Sequence, residues 1–592
     1  MDVLELYCCA MTKAGPRVIL RDVDGREGWR LFREPSSILA AFNVDEVIPV
    51  LSAVEDGVAR GLQAAGFISY EAAGGIDRVY KTRLSKTCPL VWFGLFENSE
   101  VVSLEKSSSF SLGAWRPSVS RSEYDKAMAR IKNCLQNGST YQVNYTMRLR
   151  AQFKGDPLAL FASLYAAQKT GLAAFIETND MAVCSVSPEL FFALDGTRLI
   201  SKPMKGTIRR GLTVDADSIM SAELFNSEKN RAENIMIVDM VRNDLGRVAD
   251  TGSVIVPKMF EIEKYPTVFQ MTSTVECTTN ASFVNIIRAL FPCASITGAP
   301  KVKTMEIIRD LEPDPRNIYT GCVGYLMPGR RARFNVAIRT AVIDKQNEEA
   351  EYGVGGGIVW DSHAGSEYEE CLIKAEVLKR QSPDFFILET ILWEDHKGYF
   401  LLEKHLARMV RSAEYFDYRV SSDDLEKKLL NYSESLGEGN HRIRVRADND
   451  GRIYIESSRM PGPEQRWSVG ILPNSVQICD VFLYHKTTNR SVYDNAKRSS
   501  GGSNDVILMN ERGEITESTI ANVVVEIDGN RFTPPVSCGL LAGVFREHLL
   551  EKGDILERVL TIDDFRRADK TFLINSVRKW VPVDVDFSTI NA

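Results

Sequence analysis

The chain has 592 residues, 44% of them hydrophobic and 26% charged, which is too long for one hydrophobic core and suggests about three folding units. Its 72 Lys and Arg against 79 Asp and Glu give a net charge of −7, and because no dense basic block occurs, we expect neither nucleic acid nor an anionic membrane as partner. The 11 cysteines form no CxxC pair, and no basic region followed by an apolar core opens the chain, so we expect reduced thiols in a cytoplasmic protein.

Residues 1–115 show mixed strand signals and are interpreted as scaffolding, the N-terminal part of a unit whose catalytic domain covers residues 116–381. All six histidines lie at position 363 or later. Acid, base or metal chemistry in the first 362 residues therefore depends on carboxylates, lysines and metals that prefer oxygen ligands.

A strictly alternating strand is predicted in TYQVNYTMRLR, residues 140–150. One face is apolar, and the other carries Gln142, Asn144, Thr146 and Arg148. One side of the strand is thus core and the other polar.

The stretch from Ser185 to Arg210 is predicted to form two strands joined by a turn at Asp195-Gly196, and it carries Glu189 and Lys205. A free lysine has a pKa of ~10.4, so Lys205 can attack a carbon at neutral pH only if it is desolvated or lies near another cation. The stretch alone does not distinguish a nucleophile from a solvated surface lysine.

Two predicted helices carry acidic residues that suit a metal. SEKNRAENIMIVDMVRNDLGRV is predicted to be a long helix with Glu233 near its start, and a later helix opened by Ser366 places Glu367, Glu370 and Lys374 on one face. Two carboxylates from separate helices suit Mg²⁺, which binds through one or two carboxylates and the anionic oxygens of a substrate. A solvated helix charge is the alternative for Glu233.

Two further features indicate an anionic substrate. FPCASITGAPKVKTMEIIRDLE is a loop rich in small residues that opens onto a helix, whose backbone N–H groups could hold a carboxylate. FNVAIRT is predicted to be a strand ending at Arg339, whose guanidinium could bind a substrate carboxylate. An ordinary surface ion pair is the alternative for Arg339.

Strand and helix signals begin afresh after a break near residues 380–383, so we place a domain boundary at about 382 and a second domain over 382–592. FLYHKTTNR sets Lys486 after a short apolar run, GEITESTIANVVVEI sets Glu517 at a turn before a strand, and GLLAG leads into a helix. These three features match what a pyridoxal phosphate enzyme needs: a lysine that forms the Schiff base, an acid that pairs with the ring nitrogen, and a helix start that binds the phosphate. Spacing alone does not separate this domain from many other α/β proteins.

With these residues in hand, the chain resembles two families joined end to end. Residues ~116–380 resemble the chorismate-utilising family, which contains the aminodeoxychorismate, anthranilate and isochorismate synthases. The matching stretches are GSTYQVNYT, SVSPELFF, PMKGT, RAENIMIVDMVRNDLGRV, ASITGAPK, YTGCVGY, FNVAIRT, GGGIVWDS and EYEECLIKA.

This resemblance implies an α+β fold, the anthranilate synthase component I-like sandwich of two large antiparallel sheets. It also implies Mg²⁺ held by Glu233 and Glu370, with Glu367 nearby, and a Gly355–Gly357 turn beside the substrate. The residues implied to bind chorismate are Tyr319, Arg339, Thr297, Gly355, Gly356 and Lys374.

Two positions separate the branches of the family. Isochorismate and salicylate synthases carry a lysine where this chain has Gln142, and anthranilate synthases carry an alanine where it has Lys205. The pair points to the aminodeoxychorismate synthase branch, in which the lysine adds to C2 of chorismate as the C4 hydroxyl leaves and ammonia then enters at C4. The resemblance makes Glu189 the acid that protonates this hydroxyl, which requires a raised pKa.

Residues ~384–592 resemble fold type IV pyridoxal phosphate enzymes, the class of 4-amino-4-deoxychorismate lyase and branched-chain aminotransferase. The resemblance implies Lys486 as the Schiff-base lysine, Glu517 as the acid at the ring nitrogen and Arg408 at the phosphate. Backbone contacts to the phosphate are implied for Thr519, Ile520, Val544 and Phe545. The fusion selects the lyase reaction, because 4-amino-4-deoxychorismate is the product of the first family branch, and losing pyruvate from it gives 4-aminobenzoate, a folate precursor.

Two alternatives stay open: an anthranilate-type synthase fused to an aminotransferase, and a chain in which one half is a non-catalytic docking module. No glutaminase-like domain is recognisable, so the resemblance implies ammonia from a separate glutamine amidotransferase subunit. It is also compatible with a homodimer through the pyridoxal phosphate domain.

Overall fold

A computed structural model describes residues 15–21, 28–85, 87–104, 109–375, 378, 385–460, 466–499 and 502–588. The chain divides into two compact units, of which unit 1 contains residues 1–209 and 221–382 and unit 2 contains residues 210–220 and 383–592. The predicted boundary at about 382 falls outside the described residues. No helix in the described ranges is long and apolar enough to span a membrane.

Unit 1 consists of strands with helices between them. The strands are β1 Arg17–Arg21, β2 Trp29–Arg33, β3 Ser37–Ala41, β4 Gln63–Ile68, β5 Val91–Phe96, β6 Glu100–Val102, β7 Phe110–Leu112, β8 Arg116–Pro117, β9 Gln142–Gly155, β10 Ala174–Glu177, β11 Met181–Ser185, β12 Leu190–Asp195, β13 Arg198–Lys202, β14 Met204–Arg209, β15 Ile255–Lys264, β16 Val268–Thr278, β17 Gly298–Ala299, β18 Cys322–Met327, β19 Arg331–Val336, β20 Thr340–Asp344 and β21 Glu349–Ile358. The helices are α1 Val47–Ala59, α2 Ala73–Ile76, α3 Arg121–Gln136, α4 Pro157–Gln168, α5 Val214–Asn226, α6 Glu228–Gly246, α7 Phe283–Leu290, α8 Lys301–Leu311 and α9 Ala364–Ala375, with α5 crossing the division at residue 220.

Two large antiparallel sheets form the centre of unit 1, as predicted. Within the described residues, the first has the order β17-β9-β21-β20-β11-β10-β1-β2-β6, with β7 and β8 paired to β9. The second has the order β14-β16-β13-β12-β19-β18-β4-β5-β3, with β15 paired to β16. Apolar side chains such as Val18 and Ile176 of the first sheet and Phe67 and Val323 of the second pack together. The sheets therefore face each other as a sandwich, and helices cover their outer faces.

Both faces of β9 are buried. Its apolar face packs in the core, and its polar residues Gln142, Asn144, Thr146 and Arg148 are also 7% exposed or less. Buried polar side chains are costly unless they are paired, and Thr146 and Arg148 are paired with each other and with the Glu312 carboxylate.

Unit 2 contains two sheets. Its strands are β22 Ile387–Glu394, β23 Gly398–Tyr399, β24 His441–Ala447, β25 Ile453–Arg459, β26 Trp467–Val476, β27 Asp505–Asn510, β28 Ile515–Ser518, β29 Asn522–Ile527, β30 Asn530–Thr533, β31 Leu556–Glu557, β32 Lys570–Asn575 and β33 Lys579–Asp586, and its helices are α10 Leu402–Phe416, α11 Ser422–Ser433, α12 Ser491–Arg498, α13 Val544–Lys552 and α14 Ile562–Arg567. Within the described residues, the sheet orders are β23-β22-β24-β25 and β28-β27-β26-β33-β32-β29-β30-β31.

Residues 210–220 pack within unit 2, although the chain on either side of them belongs to unit 1. The hydroxyl of Tyr415 donates a hydrogen bond of 2.7 Å to the backbone oxygen of Gly211. Nε2 of His485 lies 3.1 Å from the backbone oxygen of Leu212. The segment therefore contributes to the packing of unit 2.

Candidate active sites

Glu189 lies just before β12 and is 3% exposed. Its Oε1 accepts a hydrogen bond of 2.6 Å from Oγ of Ser295. Burial raises the pKa of Glu189 to about 7, although Ser295 and Lys205 favour the carboxylate. This side chain can therefore hold a proton near neutral pH, as a general acid must.

The prediction of two strands for the stretch that contains Lys205 is wrong in one respect. β12 and β13 form the hairpin, but Lys205 lies on a third strand, β14, which pairs with β16. Pro203 stands between β13 and β14, and because proline lacks an N–H it interrupts the ladder. The lysine thus reaches Glu189 through tertiary packing and not along one hairpin.

The amine of Lys205 sits among charged groups. Burial lowers its pKa, and the Lys374 ammonium lowers it further, whereas Glu233, Glu189 and Glu370 oppose the shift. A lowered pKa increases the fraction of neutral amine, which is the nucleophilic form. The structure therefore supplies the desolvation that nucleophilic attack by this lysine requires.

Gly355–Gly357, predicted to form a turn, instead lie within β21 and pair with β9. A Cβ atom on Gly357 would lie 2.2 Å from Nε2 of Gln142 and 3.0 Å from Nζ of Lys205. The glycine therefore leaves open a space that both side chains border. Gln142 is 1% exposed, and its amide N and O atoms have no hydrogen-bond partner in the described part of the chain.

The acidic residues predicted to bind metal come from two helices, Glu233 from α6 and Glu367 and Glu370 from α9. Glu370 pairs with Lys374 at 2.6 Å. The charges of Glu233 and Glu370 both act on Lys205, so the two helices meet at this amine. Carboxylate oxygens are the donors that Mg²⁺ prefers. Among the described residues, however, no three His, Cys, Asp or Glu side chains enclose a metal position, so substrate oxygens and water would have to complete the coordination.

Helix α9 begins at Ala364, two residues before the predicted start. The hydroxyl of Ser366 donates to the backbone oxygen of His363 and does not cap the helix. The predicted shared face of Glu367, Glu370 and Lys374 is unaffected, because the helical period is unchanged.

Arg339 does not lie on a strand, contrary to the prediction. β19 ends at Val336 in the second sheet and β20 begins at Thr340 in the first, so residues 337–339 cross between the sheets. Its φ is 50°, and Nη1 donates a hydrogen bond of 2.7 Å to the backbone oxygen of Lys374. One end of the guanidinium is thereby anchored to α9.

Tyr319 and Thr297 have partners within the protein. The Arg148 guanidinium lies 5.1 Å from the centre of the Tyr319 ring, which packs so closely on Gly353 that a Cβ there would be 2.2 Å away. The Thr297 hydroxyl donates to the backbone oxygen of Cys293 at 3.2 Å. Thr297 therefore stabilises the turn before α8.

Unit 2 contains a cavity that brings together every residue predicted to contact pyridoxal phosphate. Its lining includes Arg408, Lys486, Glu517, Thr519, Ile520, Val544 and Phe545. Burial and the nearby Arg408 lower the pKa of Lys486 to about 8. A neutral lysine amine, needed to form a Schiff base, is therefore accessible close to neutral pH.

Glu517 lies within the short strand β28, not at a turn as predicted. It is 4% exposed, and burial raises its pKa to about 7. Its carboxylate accepts hydrogen bonds from the Tyr493 hydroxyl at 2.7 Å and from the Leu541 N–H at 3.0 Å. A buried acid held in this way fits a protonated ring nitrogen, whose charge would favour the ionised carboxylate.

A phosphate could be held at the start of α13. Val544 and Phe545 are its first two residues and line the cavity, so N–H groups of its first turn are near the cavity. Arg408 binds Glu389 through two hydrogen bonds of 2.8 Å and donates to Ala542 O at 3.1 Å. The Thr519 hydroxyl donates to Asp505 at 2.5 Å, so Thr519 could serve a phosphate only through its backbone N–H.

Comparisons with known proteins place both units. Residues 102–380 match the chorismate binding enzyme family, and residues 387–585 match amino-transferase class IV. The two matches follow one another along the chain, and each covers less than half of it. The predicted α+β fold class, an anthranilate synthase component I-like sandwich followed by a fold type IV domain, is thereby confirmed.

The similar proteins each match a part of the chain. Aminodeoxychorismate synthase component 1 of Klebsiella aerogenes is 40% identical over 278 residues, which are 46% of this chain and 61% of that protein. The Escherichia coli protein of the same name is 38% identical over 269 residues, 45% and 59% of the two chains. The match therefore spans about three fifths of these relatives. Anthranilate synthase component I of Streptococcus pneumoniae shares the fold, with a TM-score of 0.50 and 21% identity over 62% of this chain and 91% of that one.

Some residues of both sites were not singled out from the sequence. Ser295 lies within the recognised stretch ASITGAPK, but nothing in that stretch shows that its hydroxyl reaches Glu189. In unit 2, the cavity lining also includes Arg442, Arg444 and Tyr493. The two arginines alternate with apolar residues in HRIRVRA, which resembles an ordinary half-exposed strand, so the sequence carried no signal that distinguished them.

Proposed function

We propose that the chain makes 4-aminobenzoate, a folate precursor, from chorismate in two steps. Unit 1 replaces the C4 hydroxyl of chorismate with the nitrogen of ammonia and gives 4-amino-4-deoxychorismate and water. Unit 2 eliminates pyruvate from this product. The observation that carries the proposal is that Gln142 Nε2 and Lys205 Nζ both border the space over Gly357. By resemblance, this pair of residues distinguishes the branch of the family that aminates C4 from the other branches.

In the first step, Lys205 and Glu189 act in sequence. The neutral amine of Lys205 forms a bond to C2, both conjugated double bonds of the ring shift by one position, and the C4 hydroxyl leaves with the proton of Glu189 as water. Ammonia then bonds to C4, both double bonds shift back, and the C2–nitrogen bond breaks to release Lys205. These steps require a raised pKa for Glu189 and a lowered pKa for Lys205, and burial shifts both values in those directions.

Three carboxylates support the substrate through a metal. Glu233, Glu367 and Glu370 would hold Mg²⁺, which when bound would supply positive charge for the chorismate carboxylate. Arg339, anchored by Lys374, presents its remaining N–H groups to the same ligand. Ammonia comes from a separate glutamine amidotransferase subunit, a proposal supported by the designation of the relatives as component 1.

In the second step, Lys486 would attach pyridoxal phosphate, Arg408 and the start of α13 would hold its phosphate, and Glu517 would hold its ring nitrogen. When bound, the cofactor supplies a sink for electrons. The amine of Lys486 takes the proton from C4 of the substrate while the enolpyruvyl oxygen leaves C3. The ring becomes aromatic, and the proton is returned to the departing enolpyruvate to give pyruvate.

Incubation of the purified full-length protein with chorismate, Mg²⁺, pyridoxal phosphate and an ammonium salt tests this proposal. We expect pyruvate and 4-aminobenzoate in equal amounts. Formation of anthranilate without 4-aminobenzoate would support the anthranilate-type alternative, and absence of any aromatic amine would overturn both.

A further inference from the structure

The cavity around Lys486 carries an excess of positive charge. Among the described residues that line the cavity, Glu517 is the acidic one. The basic residues are Arg408, Arg442, Arg444, Lys486, Arg490 and Arg578. A single cofactor phosphate would leave much of this charge uncompensated, so the cavity is suited to a further anion.

Three of these cations already have partners within the protein. Arg408 binds Glu389 through two hydrogen bonds, Arg490 donates to the backbone oxygen of Thr519, and the Arg578 guanidinium lies 5.2 Å from the Trp467 ring centre. The guanidinium groups of Arg442 and Arg444, by contrast, have no hydrogen-bond or ion-pair partner within the described ranges.

The two free arginines lie on one face of β24. Ile443 and Val445, which alternate with them, are fully buried in the core, so the arginines point to the opposite face. Arg444 is in register with Thr390 of β22, which also lines the cavity. Alternate residues on a strand lie about 7 Å apart, a spacing suited to two carboxylates carried by positions 1 and 3 of one ring.

We propose that Arg442 and Arg444 bind the two carboxylates of a dianionic substrate in this cavity. The inference rests on the proposed lyase function, because 4-amino-4-deoxychorismate carries one carboxylate on the ring and one on the enolpyruvyl group. Each product keeps only one of them, so cleavage weakens the hold on both products. A monocarboxylate amino acid would leave one guanidinium unpaired, which selects against an ordinary aminotransferase substrate.

Arg446 provides a matched control. It follows Arg444 on the same face of β24, but it pairs with Glu456 and is not part of the cavity lining. Its replacement removes the same charge from the same strand without removing a proposed substrate contact.

The test compares Arg442→Ala, Arg444→Ala, the double variant and Arg446→Ala in the full-length protein. For 4-amino-4-deoxychorismate we expect KM to rise about tenfold or more in each single variant and further in the double variant, since hydrogen bonds to charged groups are among the stronger ones. The change in kcat should be smaller, and the Arg446→Ala protein should match the wild type. Unchanged KM in the double variant would overturn the inference.

Isophthalate, a ring dianion without an amine, separates this inference from the proposed function. Its binding is read from the absorbance of the bound cofactor and compared with that of benzoate. We expect the wild type to prefer isophthalate and the double variant to lose the preference. A wild-type protein that prefers isophthalate but releases no 4-aminobenzoate would contradict the lyase proposal and keep the dianion site, whereas equal binding of both probes by the wild type would overturn the site.

Discussion

Ser295 donates a hydrogen bond of 2.6 Å from its hydroxyl to Oε1 of Glu189, and both side chains are buried. A donor of this kind stabilises the carboxylate, so its removal in Ser295→Ala should raise the pKa of Glu189 further above its usual value, by about one unit. If Glu189 must be protonated to act, the alkaline limb of the pH profile for chorismate amination should move to higher pH by the same amount. Rates measured across the pH range will check this.

Ser295→Thr keeps the hydroxyl and is the control for this prediction. It should retain the wild-type pH profile. An alkaline limb that stays in place in Ser295→Ala would mean that it does not report Glu189.

Lys205 should be modified by its substrate. When the protein is quenched after mixing with chorismate and Mg²⁺ in the absence of ammonia, mass spectrometry should find an adduct on the peptide that contains Lys205. Lys205→Ala should lose the adduct and most 4-aminobenzoate formation from chorismate. An unmodified peptide, together with normal amination by the alanine variant, would reduce Lys205 to an electrostatic role.

Gly357→Ala should impair amination, because its Cβ would lie 2.2 Å from Gln142 and 3.0 Å from Lys205. We expect at least a tenfold loss of the chorismate-dependent rate, equivalent to about 1.4 kcal/mol. Gly246→Ala is the matched control, since nothing lies within 4 Å of its Cβ. Equal rates in the two variants would show that the space over Gly357 is not used.

Glu370→Gln removes one proposed metal ligand while preserving the size of the side chain. The Mg²⁺ concentration needed for half-maximal amination should rise, and conversion of added 4-amino-4-deoxychorismate should be unaffected. Glu369→Gln, on the same helix, should behave as the wild type. Full amination by Glu370→Gln in excess chelator would contradict the metal proposal.

Lys486→Ala should accumulate 4-amino-4-deoxychorismate from chorismate and ammonia. It should also lack the visible absorbance band that pyridoxal phosphate gives when attached to the wild-type lysine. Chromatography of the products and a spectrum of the purified variant check the two outcomes separately. Normal release of 4-aminobenzoate would exclude Lys486 as the attachment point.

The helix with Glu233 could be predicted because apolar periodicity is a local feature of the sequence, whereas the sandwich in unit 1 was implied by the family resemblance of the motif stretches. The strand that carries Lys205 was misplaced because its partner, β16, lies about sixty residues further along the chain, and only Pro203 hinted at the break. The Gly-rich stretch of β21 is predicted to be a strand from the residues alone, which the structure confirms, whereas the turn that the resemblance implied at Gly355–Gly357 is wrong.

The roles of Ser295, Arg442 and Arg444 could not be predicted either, and the reason is a different one. A serine in a loop and arginines on an alternating strand are common surface features, and their roles depend on which distant side chains pack next to them. Motifs located Lys486 and Glu517 because those residues stand in recognisable stretches, whereas substrate contacts vary with the reaction and leave no such pattern.

Residues 210–220 have a consequence for how the two activities could be separated. A gene divided at codon 382 would give a second protein without Gly211 and Leu212, whose backbone oxygens Tyr415 and His485 contact. His485 directly precedes Lys486 in the sequence. The first protein would keep the segment with its packing partners removed. Two independently folding enzymes would therefore require this segment twice, once in its present place and once joined to the start of the second protein.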